Sequence, residues 1–549
     1  MRSRTFSSNT VIVWLMLLVI SFFMYKQYQQ QKITQRLVEC FKSQQQLSCI
    51  NPAIAGQNLD LSDIKCWSDL QALTKDTVVQ IFAQGAQFNW LEPYKAPNQF
   101  QVVGSGFFVS DDGSILTNAH VVNEAKTVSI QIPSLGKRRF DVDVIGVSPE
   151  RDLALLKIRA QDHDRIVKEL GKMPVLNLGD SDNVHRSDEI MALGYPLGQQ
   201  SLKSTTGVVS GREHMNGDYM IQISAPINPG SSGGPSLNLL GDVIGVNSAG
   251  ITSAQNVGYI IPSNEVKLFL RQLEQIPTTD TLKFLRKPFL GVLFNNATED
   301  LTKFLGNPPP GGLYVVETYT GSPLHRAGIL PGDMIYEIDG HAIDVFGEMN
   351  VPWSEDKISI VDYVTRLMLG NNVHLVVYRN GVRKEFTFAF SQVELAPIRG
   401  IYAGYEKIDY EIIGGMVVMQ LALNHLPLLL QNAPELAHYM EFKNQMEPAL
   451  IVSHVLPDSF ALRSRTLVRG AILKNVNGET VKTLDDFRKA IKKSSKTGFL
   501  TIKTSENVFT VFPFMEMLAE EQKLSQNYYY LLSPFVKELL ETNKPTTSA

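Results

Sequence analysis

From Thr77 onward, short runs of β-branched and aromatic residues alternate with Gly, Asn and Asp, and that rhythm excludes a helical bundle. The runs span residues 78–82, 106–109, 128–132, 153–158 and 243–246. Strands this short and this apolar hide their side chains only when a sheet closes on itself or packs on a second sheet, so the stretch predicts a sandwich or barrel. It ends near Gln275, where residues 264–272 read as a closing amphipathic helix. The chain has 549 residues, too many for one core, and a prior of ~100–200 residues per domain gives three or four domains. With 51 basic and 55 acidic residues the net charge is −4, which gives no reason to expect nucleic acid as a partner.

The first 25 residues are of another kind. Arg2 and Arg4 precede an apolar run over 11–23, broken by Ser21, and Lys26 and a glutamine-rich stretch follow. Such a run is a secretory h-region or a short membrane span. No small-x-small cleavage pattern follows, since the chain continues Met24-Tyr25-Lys26-Gln27. Residues 1–25 therefore read as an uncleaved signal anchor, with a removed signal peptide as the alternative. The arginines hold the N-terminus in the cytoplasm, so the body is exported. Residues 26–75 read as a polar stalk in which Leu37, Val38 and Phe41 give a short helix one apolar face. Cys40, Cys49 and Cys66 all lie in it. None forms a CxxC pair, so no zinc site is expected; in an exported protein two of the three are able to form a disulfide, and the sequence does not choose the pair.

Three strand-edge segments carry chemistry. In the first, Gly104-Ser105-Gly106-Phe107-Phe108-Val109-Ser110 and a turn at Asp111-Asp112-Gly113 lead to a strand that ends at His120. In the second, Asp152 opens the apolar strand 153–158. The third is the glycine-rich Asn228-Pro229-Gly230-Ser231-Ser232-Gly233-Gly234-Pro235. A serine hydroxyl becomes a nucleophile when a histidine accepts its proton, and the histidine needs a carboxylate to hold its tautomer and stabilise the imidazolium. The glycines let the backbone turn tightly, so that the amides of Gly230 and Ser232 converge on a developing oxyanion. Taken singly, each element has a plainer reading: a structural histidine, a strand-edge aspartate, a flexible loop. Gly230, Ser232 and Gly234 also satisfy the GxSxG elbow of α/β-hydrolases, but those enzymes run Ser, acid, His, whereas the order here is His, Asp, Ser among short strands. No Lys-Ser or Lys-Thr follows the glycines, so a phosphate loop is excluded.

Together, GSGFFVS, TNAHVV, RDLALLKI, ALGYPLG, INPGSSGGP and VGYIIPSN resemble the HtrA/Deg serine proteases over most of residues 76–275. The resemblance implies a mainly β protein with a two-barrel trypsin-like domain over 76–275, His120 as general base, Asp152 as its orienting partner and Ser232 as nucleophile. Gly230 and Ser232 supply the oxyanion amides. Ser231 departs from the pattern, standing where the family usually has asparagine. Neither Ile223–Pro229 nor Asn247–Gly258 holds an acidic residue, which argues against cleavage after Lys or Arg. Ile227 and Val246 make an apolar specificity pocket plausible, and the resemblance implies ATP-independent cleavage after small or medium aliphatic residues in unfolded proteins. It also implies a bacterial periplasm, or alternatively an organelle lumen, and a homo-oligomer, a trimer or a multiple of trimers. No cofactor and no metal are expected.

Past a linker at 277–287, the stretch Ala327-Gly328-Ile329-Leu330-Pro331-Gly332-Asp333-Met334-Ile335 and the following Ile338 and Gly340 resemble a PDZ domain over 286–392. A helix is expected around 358–369 and a strand at 374–378. PDZ domains bind a peptide as an added strand and capture its C-terminal carboxylate with loop amides. The matching loop here is Phe289, Leu290, Gly291 and Val292, with Gly291 leaving room for the ligand. Residues 400–515 resemble a second, divergent PDZ of the plant-type Deg kind, with residues 413–418 as a candidate loop, 485–493 as its helix and a long insertion over 422–446. Peptide binding and a subunit contact are equally open for it. The tail over 516–549, with Tyr528-Tyr529-Tyr530, is apolar enough to pack on something, a neighbouring subunit being one choice. Two function classes compete: a membrane-tethered quality-control endopeptidase, and a PDZ-based binding protein or chaperone with weak proteolysis. The complete set of His, Asp and Ser favours the enzyme.

Overall fold

The computed structural model describes residues 67–215, 218–250, 256–277, 282–287, 290–391 and 395–543. The apolar run at 11–23, the three cysteines, most of the stalk, and Phe289 lie outside the described residues. Among the described residues no helix is long and apolar enough to cross a membrane.

Strands β1 (Val78–Gln87), β2 (Asn98–Phe108), β3 (Ser114–Thr117), β4 (Ala125–Gln131), β5 (Phe140–Ser148) and β6 (Leu153–Ile158) pair antiparallel in the order β5-β4-β1-β2-β3-β6, and β6 returns to β5 to close a barrel. Strands β7 (Glu189–Gly194), β8 (Lys203–Met215), β9 (Asp218–Ile223), β10 (Pro235–Leu237), β11 (Val243–Gly250) and β12 (Gly258–Pro262) form a second closed barrel in the order β10-β11-β12-β9-β8-β7. Unbroken apolar runs such as Phe107-Phe108 and Ile115-Leu116 have a common cause. Phe108 and Ile115 fill the first barrel, while Phe107 and Leu116, on the opposite face of the same strands, pack against Leu193 and Tyr195 between the barrels. Each such side chain contributes about 1.5–3 kcal/mol by burial, and both faces of the strand are apolar because both are interior. The closing helix spans Ser263–Gln275 and buries Val266, Phe269 and Leu273.

Two segments read as connectors are part of the two-barrel domain. Trp67–Thr74, inside the expected stalk, is a helix whose Leu70 is fully buried in the inter-barrel core. The 277–287 linker contributes β13 (Lys283–Phe284), which adds parallel to β5. Leu282 and Phe284 pack on the first barrel core, and Leu285 on the inter-barrel core. Arg286 then ties Glu150 (2.9 Å) to Glu406 (2.6 Å).

The first PDZ sheet runs in the order Val292–Asn295, Leu313–Thr318, Met334–Ile338, Asn372–Arg379, Val382–Ala389, which leaves Val292–Asn295 at its edge. The helix expected over 358–369 is only Ile360–Thr365. Ile358–Ser359 pairs instead with Glu348–Met349, and the Ser359 hydroxyl caps the helix by accepting from the Asp362 amide (3.1 Å). The second PDZ carries its helix at Leu484–Lys492, closed at its start by a Thr483/Asp486 capping box. Its core continues past 515: helices Phe514–Tyr528 and Pro534–Thr542 bury Phe514, Met517, Phe535 and Val536 in it. The tail thus packs on its own domain through Tyr530, although Tyr529 and Leu531 stay exposed.

One buried acid stands out in that tail. Glu521 is fully buried, accepts from the Gly414 amide and from the Tyr530 hydroxyl (3.3 Å), and burial pushes its carboxyl up to about 8. The folded state therefore holds a proton that the unfolded chain releases above its ordinary value of 4.5. The associated stability is complete below that value and is lost as pH rises toward 8. Thermal unfolding of the full chain is expected to show the second PDZ weakening by on the order of 2 kcal/mol from pH 5 to pH 8. In Glu521→Gln, which keeps an acceptor for Gly414, that loss disappears and stability instead rises toward neutral pH, because burial holds the His425 imidazole of the same domain down to about 4; an unchanged loss would exclude Glu521 as its source.

Candidate active site

His120 lies in a one-turn helix, Ala119–Val122, directly after β3, and Asp152 lies at the end of the Pro149–Arg151 turn directly before β6. β3 and β6 are hydrogen-bonded neighbours, with Thr117 opposite Ala154, so two residues 32 apart in sequence meet at one end of the first barrel. Asp152 takes a left-handed backbone conformation (φ 54°), which Asp tolerates better than most residues. Its carboxylate faces His120 Nδ1 at 2.9 Å through both oxygens. It also accepts from the His120 amide (3.0 Å) and from the Ser248 hydroxyl (2.9 Å). A proton on Nδ1 satisfies that contact and leaves Nε2 unprotonated and outward, the tautomer that can take a proton from a nucleophile.

Ser232 stands on the loop that enters β10 from the second barrel, and it is 9 % exposed, whereas half of the His120 side chain is open. Its hydroxyl donates to the Ser248 carbonyl (3.0 Å); among the described residues no hydrogen bond joins it to His120. A rotation about its Cα–Cβ bond is the motion that would exchange one acceptor for the other. The loop is clamped on both sides. Ser105 donates its amide to the Ser232 carbonyl (2.8 Å) and its hydroxyl to the Gly230 carbonyl (2.7 Å), and accepts from the Tyr195 amide (2.9 Å). Gly230 has φ +96°, and a Cβ there would lie 2.4 Å from the Tyr195 carbonyl, so only glycine fits. The Ser231 amide is spent on Asn228 (2.9 Å), while the Gly230 and Ser232 amides donate to no acceptor among the described residues. Two uncommitted amides flanking a hydroxyl are what an oxyanion requires.

Three family models match: one described as Trypsin-like peptidase domain over residues 104–246, and two described as PDZ domain over 288–389 and 402–529. A protein of Chlamydia pneumoniae named "Probable periplasmic serine endoprotease DegP-like" is 30% identical over 423 residues, covering 75% of this chain and 76% of its own. The chain belongs to the DegP-like serine endoprotease family. A relative of the same name from Hahella chejuensis is 29% identical over 411 residues, 73% of this chain and 78% of that one. The solved structure of the HtrA-type protease AlgW with decapeptide aligns at 26% identity over 60% of this chain and all of its own, with a TM-score of 0.46.

This DegP-like protease is a serine endopeptidase, and its remaining sequence-predicted site residues fall into three groups. Ile227 lies beside the Ser232 loop, lining a small cavity with Asn228 and Ser231. Val246 does not line it: that side chain is fully buried with Leu193 and Ile261 in the inter-barrel core, across a register shift in β11 from Ile244, which sits in the core of the second barrel. Residues 251–255, part of the expected pocket wall, lie outside the described residues. In the first PDZ, Leu290 and Val292 are buried core residues and Gly291 has φ +73°. A Cβ on Gly291 would lie 2.1 Å from the Ser322 Cβ, so this glycine answers first to packing against the next helix, and any substitution there perturbs the fold. In the second PDZ, 413–418 is not an open loop. Gly414 and Gly415 (φ +61° and +83°) make a two-residue turn between strands Tyr410–Ile413 and Met416–Gln420. Arg488 of the facing helix holds the first strand through Asp409 (2.9 Å) and Glu411 (2.9 Å). The chain itself thus covers the edge that its counterpart in the first PDZ leaves free. Ser105 and Ser248 escaped sequence reasoning; the polar Ser105 between Gly104 and Gly106 in an apolar strand was the one available signal.

Proposed function

We propose that the chain degrades unfolded polypeptides without ATP by a His120–Asp152–Ser232 mechanism. The observation that carries this reading is the Asp152 carboxylate bonded to His120 Nδ1 at 2.9 Å, with Ser232 on the adjoining loop beside two undonated amides. His120 Nε2 takes the Ser232 proton as the hydroxyl attacks the scissile carbonyl. The Gly230 and Ser232 amides take the oxyanion, and the protonated His120 then donates to the leaving amine, giving an acyl-enzyme that water hydrolyses with His120 again as base. The test is hydrolysis of unfolded casein with no nucleotide present, by the wild type and by Ser232→Ala. Casein turnover in both, or in neither, overturns the reading, and protection of casein from aggregation without cleavage would favour the chaperone alternative.

The relatives' printed names support a periplasmic location; residues 1–25 as a membrane anchor and a trimer or multiple of trimers as the assembly are part of the same proposal. For the first PDZ, the edge position of Val292–Asn295 supports strand addition by a peptide whose C-terminal carboxylate meets the Leu290–Val292 amides. A short fluorescent peptide ending in Val or Phe is expected to bind the full-length Ser232→Ala protein at least several-fold more tightly as the free acid than as the C-terminal amide, read by anisotropy. Equal affinities would leave this domain without carboxylate capture.

A further inference from the structure

A cavity of about 680 Å³ begins at His120 and Ser248 and ends on the first PDZ domain, whose Trp353 and Arg366 line it with Met215 and Tyr219 of the β8–β9 hairpin. The PDZ is held around it by the hairpin and by the segment that precedes β7. The Tyr219 hydroxyl meets the Ser354 hydroxyl at 3.0 Å, the Arg186 amide donates to Glu355 (3.2 Å), and Arg366 pairs with Asp182 at 2.6 Å. The Arg366 guanidinium also lies 4.7 Å over the Trp353 ring.

The position of this space relative to the reactive groups gives it a use. β10 covers one edge of β11 only as far as Val246, and the Asn247 amide and carbonyl are spent on the Ser232 loop. Beyond that point no strand among the described residues covers this edge of β11, and the Ser248 carbonyl there holds the Ser232 hydroxyl (3.0 Å), so an extended chain can be received once that hydroxyl turns to His120. Side chains alternate along such a chain. If the residue at the scissile bond turns toward Ile227, the next one upstream turns toward His120 and into the cavity. The charges there are already matched, Arg366 by Asp182, and Asp362 by the Ser359 hydroxyl (2.7 Å), with His214 at 3.8 Å. Glu150 and Arg151 of the same lining pair with Arg286 (2.9 Å) and Glu265 (3.7 Å), so the apolar contacts that remain include Met215, Met220, Ile261, Ile358 and the Trp353 ring.

We propose that the first PDZ domain is part of the protease's substrate cleft: Trp353 forms the far wall of the subsite for the second residue upstream of the scissile bond and selects an apolar or aromatic side chain there. The inference rests on the His120–Ser232 reading above. The volume exceeds what one side chain fills, so further upstream residues share the space.

The experiment uses the full-length protein and internally quenched peptides that are C-terminally amidated and differ only at that residue, as Ala, Phe, Lys or Glu. Wild type is expected to prefer Phe to Ala, and Trp353→Ala to lower the Phe:Ala ratio of kcat/KM about tenfold, with Trp353→Phe retaining most of it. An unchanged ratio, or an equal loss on both peptides, overturns the inference. Should Trp353→Ala fail to fold, as judged by its melting transition, Arg366→Met decides. Removing that cation leaves Asp182 facing the cavity and is expected to raise the Lys:Glu ratio about fivefold at low salt; no change overturns the inference. Ser232→Ala is run alongside: residual cleavage by it would sink the triad reading, whereas a dead Ser232→Ala with unaltered ratios in the other variants sinks the PDZ wall alone.

Discussion

Ser232→Ala is expected to lower casein hydrolysis by at least about 10⁴-fold while the protein folds and melts almost as before. The side chain makes one hydrogen bond, to the Ser248 carbonyl, and is almost buried, so its removal costs about 1 kcal/mol of stability or less. The catalytic loss is large because no neighbouring group can replace it. Ser231 is adjacent, but the peptide alternates direction there, its amide committed to Asn228. Stopped assays over hours with purified protein, and a melting curve on the same sample, separate the two effects. Activity within tenfold of wild type would mean that the nucleophile is elsewhere.

Asp152→Asn is the second large effect, a drop of about 10⁴ in kcat near neutral pH, the scale that triads of this type show in general. Asn fits the left-handed turn as well as Asp does, so the Pro149–Arg151 turn and β6 remain. What changes is the proton at His120. An amide donates where the carboxylate accepted, which favours the imidazole tautomer with its proton on Nε2, and that nitrogen can no longer take a proton from Ser232. The Ser248 hydroxyl also loses a carboxylate acceptor. Asp152→Asn is expected to keep its affinity for casein and for the anisotropy peptide. A kcat within tenfold of wild type would place the orienting carboxylate elsewhere.

These effects explain why so much of the site was legible in advance. Gly230 and its neighbours are dictated by backbone sterics, and a loop that needs positive φ beside a hydroxyl leaves glycines in the sequence. Strand β6 was expected over 153–158 and is found there, because its apolar run and the turn before it both bear on the same boundary. The supporting residues were less visible. Ser105 and Ser248 act through hydrogen bonds to segments 125 and 96 residues away, and no local pattern encodes such partners. The packing of Gly291 was hidden for a related reason: its positive φ was foreseeable, but its neighbour Ser322 was not. The PDZ loop of the second module looked open because Gly414-Gly415 suits both a binding loop and a tight hairpin, and only strand pairing distinguishes them.

Residue types and spacings a few positions long were enough for the class of fold, the order His–Asp–Ser, the glycine loop and the two PDZ modules. Long-range packing set which carboxylate oxygens meet His120, that Ser232 donates to Ser248, that the tail folds onto its own domain, and that Trp353 and His120 share one cavity. Those outcomes depend on how closed barrels and docked domains bring together side chains far apart in the chain. Such distances are set by packing, which no short stretch of sequence contains.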